Sequence, residues 1–212
     1  MTLKKLIYWF VTTLVIGCLA AVTIGVSFEQ FAGQEMVGTI TGELLLGLTL
    51  GAVAELGFFA FLVFNWLAKG LLRNKTVYDS VMFLLILVLL GNLIYLNHVK
   101  YSGESFWLHL VIPAVMVLSA MIVASLKKKQ TNSGAYIPTL FYMIAATAIE
   151  AIPSLNPKEG EIPFLIIMHS VLVLLVCNAW QILQLHRWIQ VTSARNKGKT
   201  QKNKKRQVDS VR

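Results

Sequence analysis

The sequence predicts an all-α, polytopic membrane protein: a six-transmembrane-helix bundle with both termini cytoplasmic. Three observations predict it. Of 212 residues, 56% are hydrophobic and only 14% charged, with a mean hydropathy of +0.67, whereas a soluble domain carries about a quarter charged residues. The apolar residues gather into six long runs with short segments between them. The basic residues fall almost wholly on one side of those runs. Composition therefore excludes a soluble globular enzyme, a disordered chain and a disulfide-rich scaffold. The net charge of +9 does not signal nucleic acid, because nine of the 19 Lys and Arg lie from Arg187 onward, in one segment beside a membrane.

The first run, 6–28, follows Lys4 and Lys5. Val15-Ile16-Gly17-Cys18 within it has the form of a bacterial lipoprotein signal, but the stretch beyond Cys18 stays apolar to Phe28. A signal peptide has an apolar core of only about 7–15 residues, so this run is read as an unprocessed membrane anchor. The second run, 39–67, the third, 77–99, and the fourth, 106–126, each exceed the roughly 20 residues that a helix rising about 1.5 Å per residue needs to cross the hydrocarbon. The fifth, 136–152, is 17 residues long and sits at the lower limit, and the sixth, 162–185, is again ample. None of the runs shows the alternating polarity of a membrane barrel strand. Residues 1–188 form the predicted transmembrane domain, and 189–212 a basic cytoplasmic tail expected to be disordered or a surface helix.

Seventeen of the basic residues lie at the N-terminus, in the 68–76 and 127–135 loops, or after the sixth run, against only Lys100 and Lys158 on the other side. The positive-inside rule places the seventeen in the cytoplasm. Cys18 and Cys177 lie inside apolar runs without metal-like spacing and read as small buried hydrophobes.

Few residues in the runs can carry chemistry. Gly38/Gly42 and Gly47/Gly51 are small-xxx-small pairs that let helix backbones approach closely. Four-residue steps place Glu43, Gly47, Gly51 and Glu55 on one stripe, read either as a tight helix contact or as a proton or ion path. Glu150 and His169 lie toward the outer half and are expected to face each other, as a polar structural cluster, a ligand-sensing pocket or an acid/base pair. No HExxH, paired-histidine or Ser/His/Asp order accompanies them. No metal, cofactor or catalytic residue is therefore assigned, and the chain is not expected to be an enzyme. Lys127, Lys128 and Lys129, with Arg195, Lys197, Lys199, Lys202, Lys204, Lys205 and Arg206 of the tail, are the concentrated charges available to contact anionic lipid or an acidic partner.

GFFAFL at 57–62, GESFW at 103–107, TNSGAYIPTLFYMIAATAIEAIP at 131–153 and VCNAWQILQLH at 176–186 resemble the KinB-signalling pathway activation family of spore-forming Bacillus-type bacteria. The resemblance spans roughly residues 1–188, and the 131–153 segment is its most specific part. It implies a multi-pass plasma-membrane protein that promotes sporulation by activating the sensor histidine kinase KinB, upstream of a phosphorelay. Its partners would be the lipid bilayer and a KinB-like kinase. The family supplies no catalytic motif to carry over. A small transporter or channel, or an intramembrane ligand sensor using Glu55, Glu150 and His169, is the alternative reading of the residues.

Overall fold

A computed structural model describes residues 3–32, 39–100, 106–155 and 163–185. Among these residues every regular element is helical, with no strand. The helices are α1 (Leu3–Ala32), α2 (Ile40–Leu71), α3 (Lys75–Lys100), α4 (Phe106–Gln130), α5 (Tyr136–Leu155) and α6 (Phe164–Leu185). All but α5 are long and apolar enough to cross a membrane. Gly38 and the tail from Arg195 to Arg206 lie outside the described residues.

Local chemistry sets the helix ends. Thr39 caps α2 in an extended conformation, its Oγ1 accepting the Gly42 amide at 3.1 Å, which satisfies one of the donors a helix start leaves open. Asn74 does the same for α3, accepting from the Thr76 amide at 2.9 Å. The α2–α3 connection is only three residues, 72–74, and the Tyr78 hydroxyl donates to Asn65 Oδ1 at 2.6 Å across it. Pro138 lies in the first turn of α5, where its missing N–H costs little. Pro113 lies inside α4.

The interior is organised around α5. It packs against α2, α3 and α4 and is hydrogen-bonded to α6. Residues 141–148 are all buried, so this stretch of the helix is enclosed on every side rather than along one stripe. Its Thr139, Tyr142 and Thr147 are accordingly shielded from lipid. Phe58 and Phe61 of α2 bring their rings to 5.6 and 4.7 Å from Tyr142, and Phe64 stacks on Phe141 at 5.3 Å. The i, i+3 spacing of these phenylalanines is what aims all three at one neighbour.

α1 lies against α2 through glycine. A Cβ on Gly47 would stand 2.5 Å from the Gly17 carbonyl oxygen and 2.6 Å from Cys18 Cα, so only hydrogen fits there. Gly51 is less crowded, with Leu14 Cα at 3.3 Å from the same hypothetical atom. α6 closes this junction with Val173, Leu174 and Cys177 against Ala20, Ala21 and Ala54. Both cysteines are free thiols, and Cys18 Sγ donates weakly to the Leu44 carbonyl at 3.5 Å.

Candidate functional site

The polar side chains inside this apolar bundle meet mainly where α1, α2, α5 and α6 converge. Asn178 of α6 is the hub. Its Nδ2 donates to Thr147 Oγ1 at 3.0 Å and to Glu150 Oε2 at 3.1 Å, while its Oδ1 accepts from the Tyr142 hydroxyl at 2.9 Å. Both amide hydrogens and the carbonyl oxygen are thereby used. Tyr142 also lies 2.7 Å from Gln181 Oε1. One phenolic hydrogen serves one acceptor at a time. With the Gln181 amide turned over, its NH2 donates to the Tyr142 oxygen and Tyr142 keeps Asn178. Glu55 extends the network to α1: it is 2% exposed, and its carboxyl faces Thr13 and Gln181.

Glu150 stands over Gly57, in space that any larger residue at 57 would occupy. The helices thus supply complementary parts: α6 the amides, α5 the phenol, hydroxyl and one carboxyl, and α2 the second carboxyl and the missing side chain. Buried polar groups in an apolar medium are retained only when paired.

His169 does not join this network. Its Nε2 lies 3.0 Å from the Ala21 carbonyl and 3.5 Å from Glu43 Oε2. Glu43 in turn fits because position 25 is glycine: a Cβ there would approach Glu43 Oε1 to 2.7 Å. The expected meeting of Glu150 with His169 is therefore corrected. Helix register sends Glu150 to the Asn178 level of α6 and His169, more than two turns earlier on that helix, to α1 and α2.

The glycine stripe divides likewise. Glu43, Gly47, Gly51 and Glu55 all lie on the buried face of α2, but the two carboxyls serve separate polar clusters with the glycine contact between them. Gly42 sits in the first turn with its amide on Thr39. Lys127 departs from the exposed cluster expected of it. It is 5% exposed, and its Nζ donates to the Ile182 carbonyl of α6. Lys128 and Lys129 remain exposed.

Tyr142, Thr147, Asn178 and Gln181 were not singled out by sequence. The signal available was an Asn and a Gln three residues apart inside an otherwise apolar run, a spacing that puts both on one helix face. Among the described residues, no group of three or more His, Cys, Asp or Glu is arranged to hold a metal ion. Glu55→Gln is expected to leave protein level and sporulation activity close to those of the parent, because an amide can take over a hydrogen bond to Thr13 or Gln181. Lost activity at normal protein level would instead assign Glu55 a protonation role.

The chain matches the KbaA family, described as KinB-signalling pathway activation in sporulation, over residues 9–188. It is 24% identical over 196 residues to the KinB-signaling pathway activation protein of Bacillus subtilis (strain 168), an alignment covering 87% of this chain and 97% of that relative. No solved structure matches. Three of the resembling segments, 57–62, 131–153 and 176–186, supply Gly57, Tyr142, Thr147, Glu150, Asn178 and Gln181 to the one network.

Proposed function

The chain belongs to the KbaA family of KinB-signalling pathway activation proteins, and from that premise we propose that it is a non-enzymatic, multi-pass regulator in the plasma membrane that promotes activation of KinB in sporulation. The observation that carries the reading is the convergence of the family-resembling segments on one buried hydrogen-bond network. Both amide hydrogens of Asn178 and its carbonyl oxygen are engaged by α5, as suits a group that fixes helix positions. A bundle so fixed can present a defined surface to the membrane helices of a kinase. Deleting the gene should lower sporulation, and the intact chain should restore it.

Six spans with both ends cytoplasmic complete the proposal. α5, at 20 residues, has just the length for about 30 Å of hydrocarbon. The enclosure of 141–148 leaves this helix little lipid-facing surface to cover, and the seventeen-to-two division of basic residues orients the whole. Reporter fusions after Gln34, Gly103 and Lys158 are expected to read as external, and those after Lys75, Lys129 and Lys202 as cytoplasmic. A reversed reading at any one site breaks this topology.

The tail holds seven basic residues from Arg195 to Arg206, each worth about 1 kcal/mol beside an anionic leaflet. Lipid anchoring accounts for that charge. Truncation after Gln190 should leave insertion intact, because the other cytoplasmic charges still set orientation, and should leave sporulation near the parental level. A sharp loss of sporulation at normal protein level would show that the tail docks an acidic partner.

A further inference from the structure

An amide side chain turned toward hydrocarbon is costly unless another group takes its hydrogen bonds. The other asparagines within the spanning helices meet that need inside the bundle. Asn65 accepts from the Tyr78 hydroxyl, Asn97 donates to the His109 carbonyl, and Asn178 binds three groups of α5. The exposed hydroxyls of Thr23, Ser27 and Thr49 return to carbonyls of their own helices. Asn92 of α3 does neither. It is exposed on the outside of the bundle and makes no hydrogen bond among the described residues. It lies five residues from the midpoint of the Lys75–Val99 span, about 7.5 Å along the axis. The half-thickness of the hydrocarbon is about 15 Å, so this amide belongs inside it. Around it the same face of α3 is apolar and open: Leu84 and Val88 are each 60% exposed and Tyr95 63%. Gly91 interrupts that face. A Cβ there would meet nothing within 4 Å, so no described neighbour in the bundle requires the missing side chain. It leaves a notch into which a helix from outside can come close.

We propose that this face of α3 packs against α3 of a second copy of the chain, in a symmetric dimer that pairs Asn92 with Asn92. An amide carries both donors and an acceptor, so two of them satisfy each other. A two-fold axis along the membrane normal keeps both copies at one depth, and each Asn92 then meets its own counterpart at that level. A different helix would have to bring its own polar group to the same depth. Leu84, Val88, Gly91 and Tyr95 carry no charge, so the face does not repel its copy.

The dimer rests on the membrane character of α3 and goes beyond KinB activation. Its test reads association rather than sporulation, so its failure leaves that function standing. Full-length protein bearing a donor or an acceptor fluorophore at its C-terminus is reconstituted into vesicles of phosphatidylethanolamine and phosphatidylglycerol. Energy transfer is followed as lipid dilutes the protein, and it should rise linearly with acceptor fraction, as a dimer requires. Asn92→Leu should weaken association about tenfold, or about 1.4 kcal/mol, the order of two interhelical hydrogen bonds. Its folded yield should stay parental, because Asn92 bonds to nothing described in its own bundle. Asn92→Gln keeps an amide and should remain within about threefold of the parent. Gly91→Leu fills the notch and should also weaken association about tenfold, which keeps the test open should Asn92→Leu not fold. Leu118→Trp, on the exposed face of α4, should change nothing. In cells, p-benzoylphenylalanine in place of Tyr95 should photocrosslink the chain to a second copy of itself. A parent that stays monomeric at every dilution would overturn the proposal. So would a dimer indifferent to both Asn92→Leu and Gly91→Leu, which would put the contact elsewhere. Crosslinking from position 95 to a different membrane protein alone would give the face to another helix and overturn it as well.

Discussion

Gly47→Ala is expected to abolish most of the folded protein, although it adds a single methyl group. The new carbon would meet the Gly17 carbonyl oxygen at 2.5 Å and Cys18 Cα at 2.6 Å. Both are backbone atoms of α1, so relief requires moving the helix rather than rotating a side chain. Overpacking a tight core costs about 1–3 kcal/mol, and a clash against backbone belongs at the upper end. Gly51→Ala provides the contrast. Its methyl would stand 3.3 Å from Leu14 Cα and 3.4 Å from the Thr13 carbonyl, distances that a shift of a few tenths of an ångström relieves. Membrane-inserted yield and melting temperature in one detergent compare the two. Equal behaviour of the pair would show that α1 and α2 are not held at this closest approach.

Asn178→Leu should have the second largest effect. It strips partners from Tyr142, Thr147 and Glu150 together. Interhelical hydrogen bonds in membranes average about 0.6 kcal/mol each, so three give about 2 kcal/mol, rising further where a buried group finds no replacement. Tyr142→Phe removes the phenolic contacts alone and should cost less than half as much. The melting temperatures of these two variants and the double variant form a cycle. Strong non-additivity is expected, since both single changes break the same bond. Additive losses would mean that Tyr142 and Asn178 act independently.

Helical class and membrane character were legible because they depend on run length and composition, which need no knowledge of neighbours. α2 runs to Leu71 and α4 to Gln130, past the expected ends at 67 and 126. Basic and polar residues can continue a helix out of the apolar region, so hydropathy alone stops too early. Which side chains meet was much less legible. Gly47 and Glu55 could be placed on one face of a helix by period, but their partners Gly17, Cys18 and Gln181 lie on other helices whose rotation no single-run pattern fixes. Glu150 and His169 illustrate the consequence: both lie toward the same side of the bundle, yet each turns to a different neighbour. Lys127 looked identical to Lys128 and Lys129 in sequence, and only the Ile182 carbonyl of α6 beside it distinguishes its environment.

The central claim, that this chain promotes activation of KinB, is tested most directly by the phosphorylation of KinB itself in sporulating cells that lack or carry the gene. KinB is separated by phosphate-affinity electrophoresis at equal kinase level. Restoring the intact chain is predicted to raise the phosphorylated fraction several-fold, and Asn178→Leu to raise it less, in proportion to the folded protein remaining. Sporulation restored by the intact chain with no change in KinB phosphorylation would contradict the account.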